Sequence, residues 1–302
     1  MKKNVLITGG TGFVGKNLTK LLLSKGFTVA ILSRSKRPDT ENVFYYTWDI
    51  EKQTIEEDAV LKADYIIHLA GENIAAKRWT TKRKKAIIAS REHSIRLLYS
   101  VLATTDKKPE AFISASAIGI YGAYNGQEIC LETTAAANDF LGKTCQIWES
   151  SVATIAALGI RTVAIRTGLV LGKDAGLLQQ LKPVFKYRLG AALGTGEQYM
   201  PWVHIDDLCN AYYVAIINQA MHGPYNVAVT DHTTNKIFSK TLASAYGYKL
   251  WLPNIPSFLL ALAMGQMAVI VLKGRRVSSA KIQKTGFEFK WDSLKQALQQ
   301  CI

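Results

Sequence analysis

Cysteine is scarce in this chain, and its spacing argues against two kinds of site. The four cysteines lie far apart and form neither CxxC nor CxxH pairs, at Cys130, Cys145, Cys209 and Cys301. A disulfide framework or a zinc site requires a denser or more regular pattern. We therefore expect reduced thiols that are mostly buried, and no bound metal.

Acidic residues are few relative to basic ones. The chain has 37 lysines and arginines against 23 aspartates and glutamates, which gives a formal net charge of +14. The basic residues cluster at 34–37, 77–85 and 273–276. Nucleic-acid binding would call for aromatic residues among these charges or a recognisable reading module, and the sequence has neither. The cluster at 77–85 is consistent either with basic residues that surround an acidic substrate or with a solvated helix face.

Signals for membrane insertion and export are weak. One uncharged stretch, 255–272, precedes the basic sequence KGRR, but Pro256, Gly265 and Gln266 dilute it and it is at the short limit for a span. A buried or interface helix is favoured over a membrane-surface or partner-docking helix and over a true span. Met1-Lys2-Lys3 leads directly into an apolar segment without a secretory leader, which predicts a cytoplasmic protein.

Short apolar runs alternate with helical patterns through the first half of the chain. At 302 residues and 48% hydrophobic composition, the chain can bury a substantial core. We predict strands at 4–8, 28–33, 43–47, 65–69, 111–116, 162–165 and 224–227, and helices at 15–25, 81–104, 139–158 and 205–218. Such alternation is typical of βαβ units. The predicted fold is α/β, a Rossmann-type doubly wound parallel sheet with a smaller, mostly helical C-terminal substrate domain.

The pattern changes after about residue 175, which suggests two domains. Residues 1–175, together with about 200–230, are predicted to form the nucleotide-binding domain. Residues 176–199 and 231–302 carry no nucleotide signature and are predicted to form the smaller substrate or partner domain. A ligand cleft is expected between the two.

The segment 3–15, KNVLITGGTGFVG, predicts a dinucleotide site because a strand precedes its glycines and a helical pattern follows them. Gly9 suits the tight turn, Gly12 has no Cβ to keep a pyrophosphate away, and Gly15 permits close packing of helix on strand. The N-terminal amides of the helix would face the phosphates. The residues expected at the cofactor here are Gly9, Thr11, Gly12, Phe13, Val14 and Gly15.

The residues after the second strand bear on which dinucleotide binds. An acidic residue there would accept the ribose hydroxyls of NAD, but the sequence reads Ser33-Arg34 with no acid until Asp39. A guanidinium pairs well with a phosphate, so Ser33 and Arg34 favour NADP. Asp49 is placed to hold the adenine amino group, and Leu69-Ala70-Gly71 offers a small-residue surface for the cofactor.

Taken in order, several motifs resemble those of an extended short-chain dehydrogenase/reductase: TGGTGFVG at 8–15, Asp49-Ile50, HLAG at 68–71, SAS at 114–116, AIR at 164–166 and VHIDDL at 203–208. LAGENI at 69–74, RTGLVL at 166–171 and WVHIDD at 202–207 are similar to an atypical subgroup. These are NAD-dependent epimerase/dehydratase-like proteins of largely unassigned function, with a C-terminal domain of unknown function. The resemblance covers essentially the whole chain. It implies a Rossmann-type fold with NADP, and Arg166, Gly168 and Leu169 beside the cofactor.

Typical members of the resembled family use a tyrosine and a lysine four residues later for proton transfer. The lysine and the cationic nicotinamide lower the tyrosine pKa from about 10 toward neutrality. Aligning Glu149 with the glutamate that commonly follows this motif puts Leu141 and Cys145 at the two positions. Leucine has no proton to give, and cysteine cannot hold a ribose as an ammonium group does. The resembled subgroup has lost the same pair.

Other groups would then have to carry the chemistry. Ser116 with Tyr121, and Glu72 with a basic neighbour, are the catalytic candidates. Ser114 is an alternative to Ser116, a loop salt bridge is an alternative role for Glu72, and plain packing is favoured for Tyr121. His204 is expected to position the helix that follows it rather than to titrate.

The leading function is an NADP(H)-dependent oxidoreductase or epimerase-like enzyme acting on a small polar or anionic substrate. Arg78, Arg91 or Arg166 would hold that substrate. The alternative is a non-catalytic NADP-binding module whose redox-dependent conformation a partner reads, with 255–272 as its docking surface. A peripheral membrane protein is a weaker third reading. We expect no nucleic-acid partner and no membrane span, and a homodimer stays open.

Overall fold

The computed structural model describes residues 2–173 and 176–302. The predicted domain boundary at residue 175 lies outside the described residues, and so does Met1 of the segment predicted to lack a secretory leader. The strands are β1 Asn4–Thr8, β2 Thr28–Ser33, β3 Val43–Asp49, β4 Thr54–Ile55, β5 Tyr65–His68, β6 Ala111–Ala117, β7 Asn125–Cys130, β8 Arg161–Thr167, β9 Leu169–Leu171, β10 Trp202–His204, β11 Gly223–Val227 and β12 Gly274–Val277. The α-helices are α1 Phe13–Ser24, α2 Asp58–Leu61, α3 Thr81–Thr104, α4 Phe140–Ala156, α5 Gly176–Lys186, α6 Ile205–Ile217, α7 Asn235–Ala245, α8 Ser257–Met264, α9 Val269–Leu272, α10 Ala280–Gln283 and α11 Leu294–Cys301. Short 3₁₀ turns occupy Ile118–Tyr121 and Gly265–Ala268.

An eight-stranded sheet forms the centre of the molecule, in the order β11-β8-β6-β5-β1-β2-β3-β4. Every neighbouring pair is parallel except β3 and β4, which run antiparallel. The chain starts in the middle, at β1, and winds outward in both directions. The predicted doubly wound parallel sheet is therefore confirmed.

Helices cover both faces of this sheet, and the strand residues alternate between them. Val5 and Ile7 of β1 face α1 and α6, where they pack in the same buried cluster as Leu18 and Tyr212. Leu6, between them, belongs to a second cluster that includes residues of α3 and α4. Side chains along a strand point alternately to opposite faces. Because both faces are covered, the strands read as continuous apolar runs, and the sequence pattern located them well.

The C-terminal part adds a third apolar cluster beyond the sheet. Helices α5, α7 and α11 pack there around the short β9–β10 pair, with Phe185, Trp202, Phe238 and Leu298 in its interior. Although most of this part is helical as expected, β12 pairs in parallel with β7. Neither strand was predicted. Both are short and carry polar or charged residues, so they lack the apolar signal of the central strands.

The apolar segment 255–272 is not one helix. It consists of α8, a 3₁₀ turn and α9. Gly265, the first residue of the turn, has a positive φ of 60°. Met267 and Ala268 are buried, whereas Phe258 and Leu262 on α8 are 69% and 75% exposed. In the described parts of the chain, no helix is long and apolar enough to cross a membrane.

Candidate functional site

The turn between β1 and α1 is shaped by three glycines. Gly9 has a positive φ of 70°, and a Cβ there would lie 3.0 Å from the carbonyl carbon and oxygen of Leu69. A Cβ on Gly15 would lie 2.5 Å from Gly10 Cα and from Gly9 O, so the first turn of the helix packs directly on the turn. Gly12 is the N-cap of α1 and no side chain caps the helix. Its N-terminal amides are thus left for an external acceptor.

The end of β5 lies beside this turn and is held to it. Thr8 Oγ1 accepts hydrogen bonds from the backbone N–H groups of Leu69 and Ala70, each at 3.2 Å. His68 is fully buried, with its Nε2 2.8 Å from Ser94 Oγ. Burial, assisted by the charge of Arg91, lowers the pKa of His68 to about 3. A neutral, fixed histidine therefore underlies the segment predicted to support the cofactor.

The adenosine end of the predicted site lies at the ends of β2 and β3. Ser33 is buried and its hydroxyl donates to the backbone carbonyl of Ser35, whereas Arg34 is exposed. Asp49 Oδ1 accepts from the backbone N–H groups of Lys52 at 3.0 Å and Glu51 at 2.9 Å. These bonds lower the pKa of Asp49, the bond from Lys52 most strongly. Asp49 thus closes the turn after β3 with one oxygen.

A cleft of about 370 Å³ opens farther along the same edge of the sheet. Its floor comes from the segments after β6 and β8, including Gly119, Gly168 and Leu169, and from α4. Apolar side chains of α5, α7 and the 269–271 segment form its outer walls. The cleft therefore lies between the nucleotide-binding sheet and the C-terminal part, where a ligand site is usually found in such folds.

Leu141 and Cys145, at the two positions where relatives carry tyrosine and lysine, both line the cleft. Leu141 packs in an apolar cluster with Met264, Val269 and Ile270 from the C-terminal segment. Cys145 is 5% exposed, and burial raises the pKa of its thiol to about 12. Neither side chain can exchange a proton near neutral pH. Both side chains instead pack against residues of the C-terminal part, Cys145 in a cluster with Val277 and Leu141 in one with Ile270.

Ser116 and Tyr121, two of the predicted catalytic residues, belong to a buried network instead. Ser116 Oγ donates to Glu149 Oε1 at 2.6 Å, and Tyr121 Oη donates to Asn226 Oδ1 at 2.7 Å. Burial raises the pKa of Tyr121 to about 12, although Arg166 lies against it. Both hydroxyls are engaged with protein partners, and this arrangement does not support their catalytic assignment.

Arg166 is the centre of that network. Its Nε and Nη2 donate to the two carboxylate oxygens of Glu149 at 2.8 and 2.7 Å. Its Nη1 donates to Tyr121 Oη and to the backbone carbonyl of Glu132, both at 2.9 Å. The side chain is 6% exposed. The role of Arg166 beside cofactor or substrate stays a prediction; in the structure its guanidinium joins β8, α4 and the 3₁₀ turn at Ile118–Tyr121.

Glu72 and Arg78 lie in the loop after β5, where they make structural contacts. Glu72 Oε2 pairs with Arg83 Nη1 at 2.7 Å and its side chain is 44% exposed, which matches the loop salt bridge considered as its alternative role. Arg78 Nε donates to the backbone carbonyl of Ala263 at 2.8 Å, and its Nη2 donates to that of Leu262. Arg78 thus joins α8 to this loop, and it is not among the residues that line the cleft described above.

Arg91 is the predicted substrate residue that does line the cleft. Its guanidinium carbon lies 4.7 Å from the centre of the Trp148 ring, and its Nη1 donates to the carbonyl of Ile87 at 2.8 Å. Within the described residues its buried Nε has no hydrogen-bond partner. His204 Nδ1 accepts from Asp206 N at 3.2 Å and caps α6, as expected for a residue that positions this helix.

Sequence reasoning missed the cleft residues of the C-terminal part. Gln198, Phe185 and Phe238 all line the cleft, yet they come from a loop and two helices with no shared motif. The only available signal was the Gly-rich stretch 190–196 before the WVHIDD motif. It indicates a loop but does not show which side chains of that loop line a cleft. In residues 2–173 and 176–302, no group of three or more His, Cys, Asp or Glu side chains is arranged to hold a metal ion.

Comparisons with known proteins agree with this architecture. A family model described as the NAD dependent epimerase/dehydratase family matches residues 5–228, and a domain of unknown function, DUF1731, matches 255–301. Epimerase family protein YfhF of Bacillus subtilis strain 168 is 36% identical over 300 residues, covering 99% of this chain and 98% of that protein. The human epimerase family protein SDR39U1 (isoform 2), solved with NADPH, superposes with a TM-score of 0.88 at 28% identity, covering 99% and 98% of the two chains.

A more distant structure shares only the fold. UDP-glucose 4-epimerase from Thermotoga maritima, solved with UDP-glucose, has a TM-score of 0.78 at 20% identity and covers 99% of this chain and 97% of its own. At that identity the likeness extends to the arrangement of helices and strands. It carries no information about which residues of the cleft contact a ligand.

Proposed function

The chain belongs to the NAD dependent epimerase/dehydratase family, and from that membership we propose that it is an NADP(H)-binding oxidoreductase or epimerase-like enzyme that works without the usual tyrosine and lysine. The observation that carries this proposal is that the glycine turn after β1 and the cleft at the ends of β6 and β8 lie along the same edge of the central sheet, at the ends of its parallel strands. A cytoplasmic location is part of the proposal.

The choice of NADP over NAD is supported by two observations. Arg34 is exposed directly after β2, where a phosphate on the adenosine ribose would lie, and Ser33 beside it is held by its backbone contact. The human relative was solved with NADPH. Gly9, Thr11, Gly12, Phe13, Val14 and Gly15 would hold the pyrophosphate, and Leu69-Ala70-Gly71 would support the middle of the cofactor.

A nicotinamide bound in this way supplies hydride to a substrate or accepts it. The residues of the chain contribute position rather than acid-base chemistry. Gly168 and Leu169 form part of the cleft floor, and Leu141 and Cys145 form an apolar wall beside it. Because Tyr121 Oη is engaged by Asn226, a water molecule would supply the proton that the carbonyl oxygen takes up on reduction and would accept the hydroxyl proton on oxidation.

Cofactor preference tests the binding half of this proposal. We expect NADPH to bind at least tenfold more tightly than NADH in a fluorescence titration. Arg34→Ala should weaken NADPH binding by roughly 10- to 100-fold, the value of a charge-assisted hydrogen bond, and leave NADH unchanged. Lys36→Ala, in the same exposed basic cluster, is the matched control and should have a smaller effect. Equal affinities of the wild type for the two cofactors would contradict the proposal.

Turnover tests the catalytic half. The chain is incubated with NADPH and a panel of carbonyl compounds, and cofactor oxidation is followed by absorbance. The proposal expects oxidation that depends on the added carbonyl compound. NADPH binding without oxidation of any panel member would instead favour the second candidate.

The second candidate is a non-catalytic NADP-binding module whose conformation a partner reads. One observation favours it: Ser116, Tyr121 and Glu72 are each occupied by a protein partner, so the predicted proton donors are not available at the cleft. For such a module, NADPH and NADP⁺ should differ in how they protect the chain from limited proteolysis. Equal protection by the two would count against it.

A further inference from the structure

Helix α8 presents apolar side chains to the outside of the molecule. Seven of its eight residues are apolar, and none of the eight is buried. Phe258 and Leu262 are 69% and 75% exposed, and their spacing of four positions puts them on the same face of the helix. A helix of a globular fold normally packs its apolar residues inward. An exposed apolar face of this kind is therefore a mark of a docking surface.

The exposed apolar surface continues beyond the start of α8. Trp251 is 66% exposed, and its Nε1 donates to the backbone carbonyl of Arg188 at 2.9 Å. Tyr187 and Leu189, on either side of Arg188, are 74% and 56% exposed. Backbone hydrogen bonds of residue 255 with residues 192 and 194 hold the two segments side by side. The apolar patch therefore consists of Tyr187, Leu189, Trp251, Phe258 and Leu262.

Cations lie at both ends of the apolar patch. At the C-terminal end of α8, Arg78 Nε donates to the backbone carbonyl of Ala263 at 2.8 Å, and Lys84 Nζ donates to Gln266 Oε1 at 2.6 Å. These bonds place two positive charges directly beside the helix. At the other end, Arg188 is exposed between two residues of the patch. The patch is therefore bordered by positive charge.

Acidic residues are absent from the segments that build this surface. Residues 73–85, 182–194 and 249–273 contain six, three and two lysines and arginines, and no aspartate or glutamate. Glu72, just outside the first segment, is already paired with Arg83 at 2.7 Å. This face therefore attracts anions, and its apolar patch also favours a partner that offers apolar groups.

Among anionic partners, a lipid bilayer matches both properties of this face. Lipid phosphates attract lysine and arginine, and the boundary between headgroups and acyl chains takes up phenylalanine, leucine and tryptophan side chains. A second copy of the chain, docked through the same face about a twofold axis, would set cations against cations. A nucleic acid would engage the cations through its phosphates but leave the aliphatic side chains of α8 without a partner.

From these observations we infer that this face docks on the surface of an anionic lipid bilayer. Phe258 and Leu262 enter the headgroup region, and the cations at 77–85 and at Arg188 lie against lipid phosphates. The chain then lies on the bilayer, with α8 as the element that contacts it. The inference goes beyond the proposed function and does not depend on it, because the glycine turn and its cofactor take no part in the docking.

Binding to vesicles tests the inference with the full chain. The chain is sedimented with vesicles of phosphatidylcholine alone and with vesicles of equal parts phosphatidylglycerol and phosphatidylcholine, at low and at high salt. We expect roughly tenfold or more tighter binding to the anionic vesicles at low salt, and loss of that preference at high salt because ions screen the charges. No binding to the anionic vesicles, or equal binding to the two compositions, would overturn the inference.

Apolar variants locate the docking face. Phe258→Ser combined with Leu262→Ser should weaken binding to the anionic vesicles roughly tenfold, because two apolar side chains no longer enter the headgroup region. Both positions are exposed, so the fold should be kept, and circular dichroism verifies this. The matched control combines Leu61→Ser with Ile217→Ser, at exposed positions of α2 and α6 outside the patch, and should bind like the wild type. Equal binding by the two double variants would contradict the assigned face and overturn the inference.

Charge variants separate docking through this face from attraction by net charge alone. Lys82→Gln combined with Lys85→Gln removes two exposed charges from the start of α3 and should weaken binding to anionic vesicles roughly fivefold or more. Lys2→Gln combined with Lys107→Gln removes the same charge ahead of β1 and β6 and should have a smaller effect. Equal losses in the two pairs would assign the attraction to net charge and overturn the inference.

The other occupants of this face are outcomes of the same measurements. Sedimentation without vesicles reports self-association, and a duplex DNA probe reports nucleic-acid binding. Self-association that Phe258→Ser with Leu262→Ser abolishes, in a chain that binds no vesicles, would assign the patch to a second copy and overturn the inference. Tight binding to the DNA duplex without binding to anionic vesicles would overturn it as well.

Discussion

The two ends of the ligand-binding edge of the sheet are built in different ways. At the end of β1, backbone conformation makes the site: Gly9 takes a positive φ, Gly15 allows close packing, and α1 begins at once. At the ends of β6 and β8, side chains from distant parts of the chain make the cleft, and Leu141 and Ile270 line it together although they lie far apart in sequence. The first end is local in sequence, and the second is not.

This difference predicts that the two ends tolerate substitution unequally. A phosphate site made of backbone amides tolerates little change, because a Cβ on Gly9 or on Gly15 would lie within 3.0 Å of other backbone atoms. A cleft made of side chains can change the polarity of its walls and keep its fold. In this chain Leu141 packs with Met264 and Val269, which joins α4 to the C-terminal segment.

The largest predicted effect tests how far the cleft end depends on its buried charges. Glu149→Ala leaves Arg166 buried without its carboxylate and removes the acceptor of Ser116. Loss of one partner from a buried ion pair costs about 3–5 kcal/mol of the free energy of unfolding. Urea unfolding of the variant against the wild type measures this cost.

The matched control for this prediction is Glu72→Ala. Glu72 also pairs with an arginine at 2.7 Å, but its side chain is 44% exposed, so the variant should lose less than about 1 kcal/mol. Similar losses in the two variants would show that the Glu149 network is not the structural support described above.

An intermediate effect is expected at the dinucleotide end from Gly15→Ala. The added methyl group would lie 2.5 Å from Gly10 Cα, and overpacking of this kind costs about 1–3 kcal/mol, partly offset by up to about 1 kcal/mol of helix propensity. NADPH binding should weaken together with stability, because the backbone that moves is the phosphate turn. Gly126→Ala, which has no atom within 4 Å of the new methyl group, should be close to neutral in both measurements.

The smallest predicted effect is a difference between the two ends in how the free energy of unfolding depends on pH. The pKa of His68 is lowered by burial to about 3, so below about pH 6.5 the unfolded chain takes up a proton that the folded chain does not. Stability from this group is present above pH 6.5 and is lost as the pH falls toward 3. The pKa of Cys145 is raised to about 12, so stability from its thiol is present below about pH 8.5 and is lost as the pH rises toward 12.

Two variants check these pH limits by unfolding at a series of pH values. Between about pH 6.5 and 5.5, the wild type should lose about 1 kcal/mol of its free energy of unfolding that His68→Phe retains. Cys145→Ala should retain a similar amount over the first pH unit above about 8.5. His222→Phe, at an exposed position, is the control and should leave both sides unchanged. An acid side that is as steep in His68→Phe as in the wild type would rule out His68 as its cause.

Much of the fold could be predicted because its strands are buried on both faces. The predicted bounds of β1 and β2 agree with the structure, and α3 begins and ends where its pattern does. The strands β7 and β12 were missed because a pair with one exposed side carries charges and has no continuous apolar run. The segment 255–272 was expected to be a helix, and Gly265 divides it.

The candidate site could be predicted only in part. In the sequence, Arg166 looks like any arginine after a strand. Nothing in the neighbouring residues indicates that its Nε and Nη2 donate to the carboxylate of Glu149 on α4. Arg78 likewise reads as a basic loop residue, although it fastens α8. A charge in sequence does not show its partner when the partner lies on another element.

By itself, the sequence determined the glycine turn, the central parallel strands after it, and the helices that cover them. These features depend on backbone conformation and on apolar periodicity, which are local properties of the chain. Only the tertiary structure decided that Arg78 and Arg166 bind other elements of the chain and that the cleft walls are mostly apolar. Those features depend on which distant side chains meet, and packing alone brings them together.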